Sequence, residues 1–332
     1  MAVNLKGKSF LTLMDLSAQE IRYLLDLGHS LTAKRQMGLH GEALKGKHIV
    51  LLFEKTSTRT RCSFEVAATQ EGGHVTYLDA ASSQMGKKES LEDSAKVLGR
   101  FFDGIEYRGF DQKVVEDLAK YSGVPVFNGL TDVDHPTQIL ADMMTIEEHC
   151  AKPLKDVKVV FPGDVRNNMC YAWMYGCAKM GMHFVGLGPR ELVDGVDKSV
   201  MAQVDAVARE TGAVIEITDD QGTLVGADVI YGDIWASMGE EDLIPERAKL
   251  LTPFRVTEDT LERTGNSKVL YMHCLPSFHD FETKLAREWQ AKGVDIREVD
   301  DVVFRGPHSV VFDEAENRMH SIKAVLVATI GA

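Results

Sequence analysis

Residues 57–61 read STRTR and place three hydroxyl groups and two guanidinium groups in five consecutive positions. The apolar run HIVLLF at 48–53 comes before them and a helical pattern over 60–71 follows, which predicts a strand–loop–helix junction. A helix N-terminus presents free N–H groups and the positive end of the helix dipole, and arginine adds a planar fork of donors. A single arginine beside a capped helix would usually be a solvated surface residue. Five such residues together favour an anion site, although the spacing of a nucleotide-binding P-loop is absent.

Further polar side chains follow other apolar runs. In parallel α/β sheets, ligands bind beyond the carboxyl ends of the strands, so these positions are candidate binding residues. Each has an ordinary alternative: a surface arginine, a capping histidine or asparagine, an acid in a long loop, or a buried inert cysteine. His135 and Gln138 are three residues apart at the start of a helical segment and therefore share a helix face. The candidates are Arg108, His135, Gln138, the consecutive Asn167 and Asn168, Asp233 and Cys274.

Asp233 stands at the end of a run and is followed by a loop that contains Ser237, Met238 and Gly239. An acid in this position suits a ligand that carries an ammonium group, and the glycine suits a mobile loop. His273 and His279 raise the question of a zinc site, but the sequence offers no plausible third and fourth ligand near them. A zinc site is therefore not predicted.

Short apolar runs alternate with helical patterns along the chain. The runs cover 47–54, 74–78, 104–109, 124–129, 157–163, 182–188, 213–218, 227–233 and 268–276. This alternation predicts an α/β protein of two domains, each a parallel sheet covered by helices on both faces and joined by interdomain helices. We expect a first domain at 1–150, a second at 151–315, and a C-terminal helix at 316–332 that packs back towards the first domain.

The composition excludes some classes of function. The 332 residues are 44% hydrophobic and 26% charged, which allows a sizeable core, and the net charge is −13. That charge argues against nucleic acid or an anionic membrane surface as a partner. The five cysteines are odd in number, scattered, and never in C-x-x-C spacing. With no signal-peptide pattern and no apolar run long enough to span a bilayer, we expect a cytoplasmic protein with reduced thiols.

Four motifs in the order STRTR, HPTQ, SMG and HCLP resemble those of the transcarbamoylases. The resemblance covers nearly the whole chain, from FLTLMDLSAQEIRYLLDL to DEAENRMHSIKAVLVAT. STRTR and HPTQ are shared with aspartate transcarbamoylases, whereas DIWASMG and HCLP are typical of the ornithine carbamoyltransferases. The N-terminal third is similar to bacterial catabolic members.

The resemblance implies transfer of a carbamoyl group from carbamoyl phosphate to the side-chain amine of ornithine, giving citrulline and phosphate without a metal or organic cofactor. It implies Arg59, Arg108, His135 and Cys274 as catalytic groups. Carbamoyl phosphate would be bound by Ser57, Thr58, Arg59, Thr60, Gln84, Arg108, His135, Gln138, Cys274, Leu275 and Arg318, and ornithine by Asn168, Asp233, Ser237 and Met238. Gln84 would reach across from a neighbouring subunit of a homotrimer, which in some catabolic members assembles further. Two alternatives remain open: another amine acceptor, such as putrescine or a modified ornithine, and a non-catalytic binding member of the fold.

Overall fold

The computed structural model describes residues 3–79, 85–86, 88–236 and 239–332. The chain forms two compact units. Unit 1 comprises Met1–Met144 together with Glu316–Ala332, and unit 2 comprises Thr145–Ala315. The functional domains expected from the sequence, at 1–150, 151–315 and 316–332, stay predictions.

Unit 1 is built on a four-stranded sheet. Its order is β2-β1-β3-β4, and every neighbouring pair is parallel. The strands form from continuous apolar runs, and β1 is buried at every position after its first residue. The elements are α1 (Ala18–Gln36), β1 (His48–Phe53), α2 (Thr58–Gln70), β2 (His74–Asp79), α3 (Leu91–Phe101), β3 (Gly104–Arg108), α4 (Gln112–Ser122), β4 (Val126–Leu130) and α5 (Pro136–His149), which continues into unit 2.

Unit 2 carries a five-stranded parallel sheet in the order β7-β6-β5-β8-β9. Its elements are β5 (Lys158–Pro162), α6 (Asn168–Met180), β6 (His183–Leu187), α7 (Arg190–Val193), α8 (Lys198–Thr211), β7 (Val214–Thr218), β8 (Val229–Gly232), α9 (Ile244–Leu251), α10 (Glu258–Glu262), β9 (Leu270–His273), α11 (Lys284–Ala291), α12 (Asp301–Phe304) and α13 (Val311–Ile330). Helix α13 begins in unit 2 and ends in unit 1. The predicted fold class, parallel sheets covered by helices, is confirmed.

Local signals fix the helix starts. Ser90 precedes α3, and its hydroxyl accepts a hydrogen bond from the N–H of Asp93. Helix α5 begins at Pro136, where the missing N–H costs no intrahelical hydrogen bond. Within the described ranges, no helix is both long and apolar enough to cross a membrane.

The strand order decides which polar residues meet. Strands β1, β3 and β4 are neighbours in unit 1, so the segments after Phe53, Arg108 and Leu130 leave the same edge of the sheet. In unit 2, β5, β8 and β9 are neighbours in the same way. The segments that follow Pro162, Gly232 and His273 therefore also leave one edge.

Candidate functional site

The residues predicted to bind an anion lie at the N-terminus of α2. Ser57 is its N-cap, and its hydroxyl accepts a hydrogen bond from the N–H of Thr60 at 3.2 Å. The first turn of α2 contains no acidic residue that would offset the positive end of the helix dipole. Thr58 is exposed and Arg59 is half-buried at this end of the helix. The predicted strand–loop–helix junction is confirmed, with the hydroxyls and the guanidinium of Arg59 in the first turn.

Two buried arginines converge on the hydroxyl of Thr60. Arg108, the last residue of β3, donates from Nη1 to Thr60 Oγ1 at 3.2 Å. Arg318, on α13, donates from Nη2 to the same oxygen at 3.2 Å. Residues from three elements that are far apart in the chain thus place two guanidinium groups beside the N-terminus of α2.

His135 and Gln138 lie on the other side of Arg318. Arg318 Nη1 donates to His135 Nε2 at 3.1 Å and to Gln138 Oε1. A guanidinium can only donate, so His135 Nε2 accepts and a neutral ring carries its proton on Nδ1. Burial, together with the charges of Arg318, Arg108 and Arg59, holds the pKa of His135 well below its usual range. His135 is therefore a neutral imidazole in a positively charged cluster.

Unit 1 thus brings together Thr60, Arg108, His135, Gln138 and Arg318, with Arg59 close enough for its charge to act on His135. Gln84, predicted to contact the anion from a neighbouring subunit, lies outside the described residues.

Asp233 is the centre of a second cluster, in unit 2. It follows β8, and its Oδ2 accepts from Asn167 Nδ2 at 2.8 Å. Its Oδ1 accepts from the thiol of Cys274 at 3.2 Å and from the N–H of Ile234 at 2.8 Å. Burial raises the pKa of Asp233 above its ordinary value, while His273 and the hydrogen bonds from Cys274 and Ile234 oppose this shift. The cluster presents a buried carboxyl group and a thiol to one small polar ligand.

The prediction for this cluster named Asn168, which is the half-buried first residue of α6. The amide that bonds Asp233 belongs to its neighbour Asn167, which also caps α6 by accepting from the N–H of Cys170. Ser237 and Met238, also predicted here, lie outside the described residues.

Glu298 is a buried partner of His273 that the sequence reading missed. The N–H of Leu275 donates to His273 Nδ1 at 2.9 Å, so the ring proton lies on Nε2 and points to Glu298 Oε1, 3.1 Å away. Glu298 Oε1 also accepts from the hydroxyl of Ser277 and the N–H of Phe278. These bonds hold Leu275 at a φ of 56°, an uncommon value for a residue other than glycine. The pair therefore fixes the loop that carries Cys274 and Leu275.

The two histidines considered for zinc do not share ligands. His273 bonds Glu298, whereas His279 Nδ1 lies 2.7 Å from Asp301 Oδ1 and 3.5 Å from Asp280 Oδ2. The expectation that no further ligand type lies near these histidines was wrong for His279, because folding brings α12 against it. Arg305 donates to both carboxylates, so the group is an ion-pair network.

Two family models match the chain and together span most of it. Residues 8–148 match the aspartate/ornithine carbamoyltransferase carbamoyl-P binding domain, and residues 155–329 match the Asp/Orn binding domain of the same family.

Curated proteins and solved structures agree with this match. A catabolic ornithine carbamoyltransferase of Clostridium perfringens (strain 13) is 63% identical over 334 residues, with 100% of each chain covered. An ornithine carbamoyltransferase of Limosilactobacillus reuteri is 53% identical, with 100% of this chain and 99% of the relative covered. The ornithine carbamoyltransferase structure from Pyrococcus furiosus superimposes with a TM-score of 0.89 at 40% identity, covering 99% of both chains.

The resemblance read from the four motifs is confirmed by matches that extend over the whole length of the chain. The first model covers Thr60, Arg108, His135 and Gln138 of the first cluster, and the second model covers Arg318 together with the cluster around Asp233. This chain belongs to the aspartate/ornithine carbamoyltransferase family.

Proposed function

We infer that this chain is an ornithine carbamoyltransferase, which transfers the carbamoyl group of carbamoyl phosphate to the side-chain amine of L-ornithine. The convergence of Arg108 and Arg318 on Thr60, at the N-terminus of α2, carries the inference. Two buried guanidinium groups beside the N-terminus of a helix suit a phosphate dianion. The matched domain is also named for carbamoyl phosphate.

The phosphate group is proposed to bind Ser57, Thr58, Arg59 and Thr60, with Arg108 assisting. Developing charge on the carbonyl oxygen is stabilised by Arg59, Arg108 and His135, because donors that are already in place need no reorganisation during the reaction. His135 is neutral, so it can donate a hydrogen bond without adding a further positive charge. Gln138 and Arg318 complete this half of the site.

Ornithine is proposed to bind in unit 2, with Asn168, Asp233, Ser237 and Met238 as its binding residues. The attacking amine must be neutral, although the ordinary pKa of such an amine is close to that of lysine, about 10.4. Cys274 and Leu275 are proposed to lie beside this amine, and the hydrogen bond from the thiol of Cys274 to Asp233 supports this role for Cys274. Cys274 therefore positions and tunes the amine and does not attack the substrate.

The reaction is a direct transfer. The amine nitrogen attacks the carbonyl carbon, the C–N bond forms, and a tetrahedral intermediate results. The bond from carbon to the phosphate oxygen then breaks. The proton that the nitrogen loses ends on phosphate, so the products are citrulline and hydrogen phosphate. These steps need positioning and charge stabilisation from the residues named above.

The relatives favour ornithine over other acceptors. They are named ornithine carbamoyltransferases, and they match this chain over its full length. A buried carboxyl group in unit 2 suits an acceptor with an ammonium group. The non-catalytic alternative is disfavoured because Arg59, His135 and Cys274 are all present.

We further propose a homotrimer in which Gln84 of one subunit completes the neighbour's anion site, and assembly of trimers beyond this. We also propose that the enzyme works in the cytoplasm. The five cysteines all lie within the described ranges and form no disulfide there, which suits a reducing compartment.

Carbamoyl phosphate labelled with ¹³C at the carbonyl tests the inference. With L-ornithine present, we expect all of the label that leaves carbamoyl phosphate to appear in citrulline, with one phosphate released for each citrulline. Release of phosphate without labelled citrulline would overturn the proposal. Accumulation of label on the protein would overturn the direct transfer.

A further inference from the structure

Glu106 is a buried acid that the proposed chemistry leaves unused. It lies in β3 two residues before Arg108, so both side chains leave the same face of the strand. Its side chain is 0% exposed, and neither carboxyl oxygen has a hydrogen-bond partner among the described residues. Because an unsatisfied buried carboxyl group is costly, its position calls for an explanation.

The carboxyl group lies directly behind the anion site. A Cβ built on Gly129 would be 1.9 Å from Glu106 Oε1 and 3.2 Å from the methyl carbon of Thr60, so the acid packs against the Gly129 backbone beside Thr60. Thr60 accepts the hydrogen bonds of both arginines, and the carbonyl of Gly129 accepts from Arg108 at 3.4 Å. A side chain other than glycine at 129 would displace the acid.

Charged and titratable groups on four elements, β3, α13, α2 and α5, belong to the cluster beside Glu106. Burial raises the pKa of Glu106 well above the usual range, and the charges of Arg108 on β3 and Arg318 on α13 oppose this shift. Arg59 on α2 adds positive charge to the same cluster, and His135 at the start of α5 is neutral. On α5, Asp142 accepts from Gln138 and contributes a further acid.

A bound phosphate changes this balance. It brings negative charge to the same two arginines, and a like charge nearby disfavours ionisation of a carboxyl group. The acid behind the site must therefore hold its proton more tightly when the anion is bound.

We propose that Glu106 is a proton-exchanging acid behind the anion site: at alkaline pH it is ionised opposite Arg108 and Arg318 when the site is empty, and it is protonated from solvent when the phosphate dianion binds. The proposal rests on the proposed function, because it takes the anion to be the phosphate of carbamoyl phosphate or the phosphate product. The proton comes from water and moves to the carboxylate, and no other bond changes. Glu106 acts through the arginines and is a positioning residue.

The proposal makes the affinity for phosphate depend on pH. Above the pKa of Glu106 in the empty site, phosphate binding must recruit a proton, so the affinity of the wild type falls as pH rises. Below that pKa the acid is already protonated, and the wild type should match Glu106→Gln. Each unit of pKa difference between the empty and the occupied site corresponds to a tenfold change in affinity, so we expect the wild type to lose at least about tenfold relative to Glu106→Gln by alkaline pH.

Calorimetry with inorganic phosphate tests this. The wild type, Glu106→Gln, Glu106→Asp and Glu71→Gln are titrated between pH 6 and 9 in two buffers of different ionisation enthalpy, which gives the protons taken up on binding. Protons bound or released by phosphate itself and by other groups contribute equally in all four proteins. Their contribution therefore cancels when the proton uptake of a variant is compared with that of the wild type. Glu71 is a buried acid at the far end of α2, so its variant is the matched control.

We expect Glu106→Gln to lose proton uptake and to bind phosphate more tightly at alkaline pH, while Glu106→Asp and Glu71→Gln keep the uptake. If wild type and Glu106→Gln took up the same number of protons at every pH while both bound phosphate, the proposal would be wrong. Should Glu106→Gln not fold, difference infrared spectra of the wild type decide: a protonated-carboxyl band must grow on phosphate addition. Its absence overturns the proposal. A wild type that binds no phosphate and forms no citrulline would instead overturn the proposed function.

Discussion

Thr60 carries no charge, yet it fixes the geometry of two charged side chains. Arg108 and Arg318 come from a strand and a helix far apart in the chain, and each donates to its hydroxyl. The same helix turn carries Arg59, which is half-buried, and Arg61, which is exposed and paired with Glu65. Neighbouring arginines on one helix thus have different environments.

That difference gives a matched pair of variants. We expect Arg59→Ala to lose at least about 100-fold in turnover, because it removes a donor aimed at the phosphate and the developing oxyanion. Arg61→Ala removes the same charge from the same helix but should stay within a few-fold of wild type. Steady-state citrulline formation measures both. Equal losses in the two variants would show that general charge, and not placement, matters.

Cys274 gives a second prediction at this scale. Its thiol donates to Asp233, so Cys274→Ser should keep a hydrogen bond while changing the acidity and size of the donor. We expect weaker ornithine binding and a displaced pH profile, with measurable activity remaining. Kinetics across pH, combined with mass spectrometry of the wild type during turnover, check this. A carbamoylated cysteine that formed and decayed at the rate of turnover would contradict direct transfer.

Most elements of the fold could be predicted because their signals are local. Continuous apolar runs such as HIVLLF become buried parallel strands, and helix starts are marked by an N-cap residue such as Ser90 or by a proline at the first helical position such as Pro136. The group of donors at the start of α2 could also be predicted, because STRTR places its hydroxyl and guanidinium groups in one short stretch.

The rest depended on contacts between distant elements. Glu298 is 25 residues from His273 in the chain and bonds it only after unit 2 has folded. Glu106 is an ordinary strand residue in the sequence, and its environment is created by Gly129 on β4 and Arg318 on α13. No residue spacing in the sequence predicts that either acid is buried beside a candidate site. Similarly, Asn167 and Asn168 are adjacent, and only the helix cap decides which amide turns to Asp233.

Helix α13 contributes a pH dependence of stability. His320 is 1% exposed, and burial, together with the charges of Lys323 and Arg35, lowers its pKa to about 4. Between pH 6.5 and about 4 the unfolded chain binds a proton there that the folded chain does not, so stability falls as pH falls. Replacing this residue in His320→Gln should make the loss of unfolding free energy between pH 7 and 4.5 smaller by about 1–2 kcal/mol.

Urea unfolding at several pH values measures this difference. His40 is exposed, and His40→Gln is the control that should lose as much stability as wild type. If the unfolding free energy of His320→Gln fell with decreasing pH as steeply as that of the wild type, this histidine would not be the cause of the acid sensitivity.

At the scale of the whole molecule, the proposed trimer makes a prediction about Gln84. If it acts in the neighbour's site, Gln84→Glu should disable every site by placing a carboxylate against bound phosphate. His135→Ala should disable sites by a separate route. Mixed after dissociation, the two inactive proteins should form hybrid rings containing sites with both wild-type groups, so activity should return above the sum of the parents.

Mass spectrometry of the mixture must show the hybrids. Hybrids without recovered activity would mean that Gln84 does not serve a neighbouring site. A mixture of His135→Ala with Arg59→Ala is the matched comparison, because both residues belong to one chain's site and should not complement.

The central claim is that this chain carbamoylates ornithine. The most direct test is a side-by-side assay of the purified protein with carbamoyl phosphate and L-ornithine, putrescine or L-aspartate, with the carbamoylated products identified by mass spectrometry. We predict citrulline as the main product, with kcat/KM for ornithine at least about 100-fold above either rival, since an acceptor that leaves buried polar groups unpaired is rejected strongly. Equal or faster carbamoylation of putrescine or aspartate, or no product with any acceptor, would contradict the account.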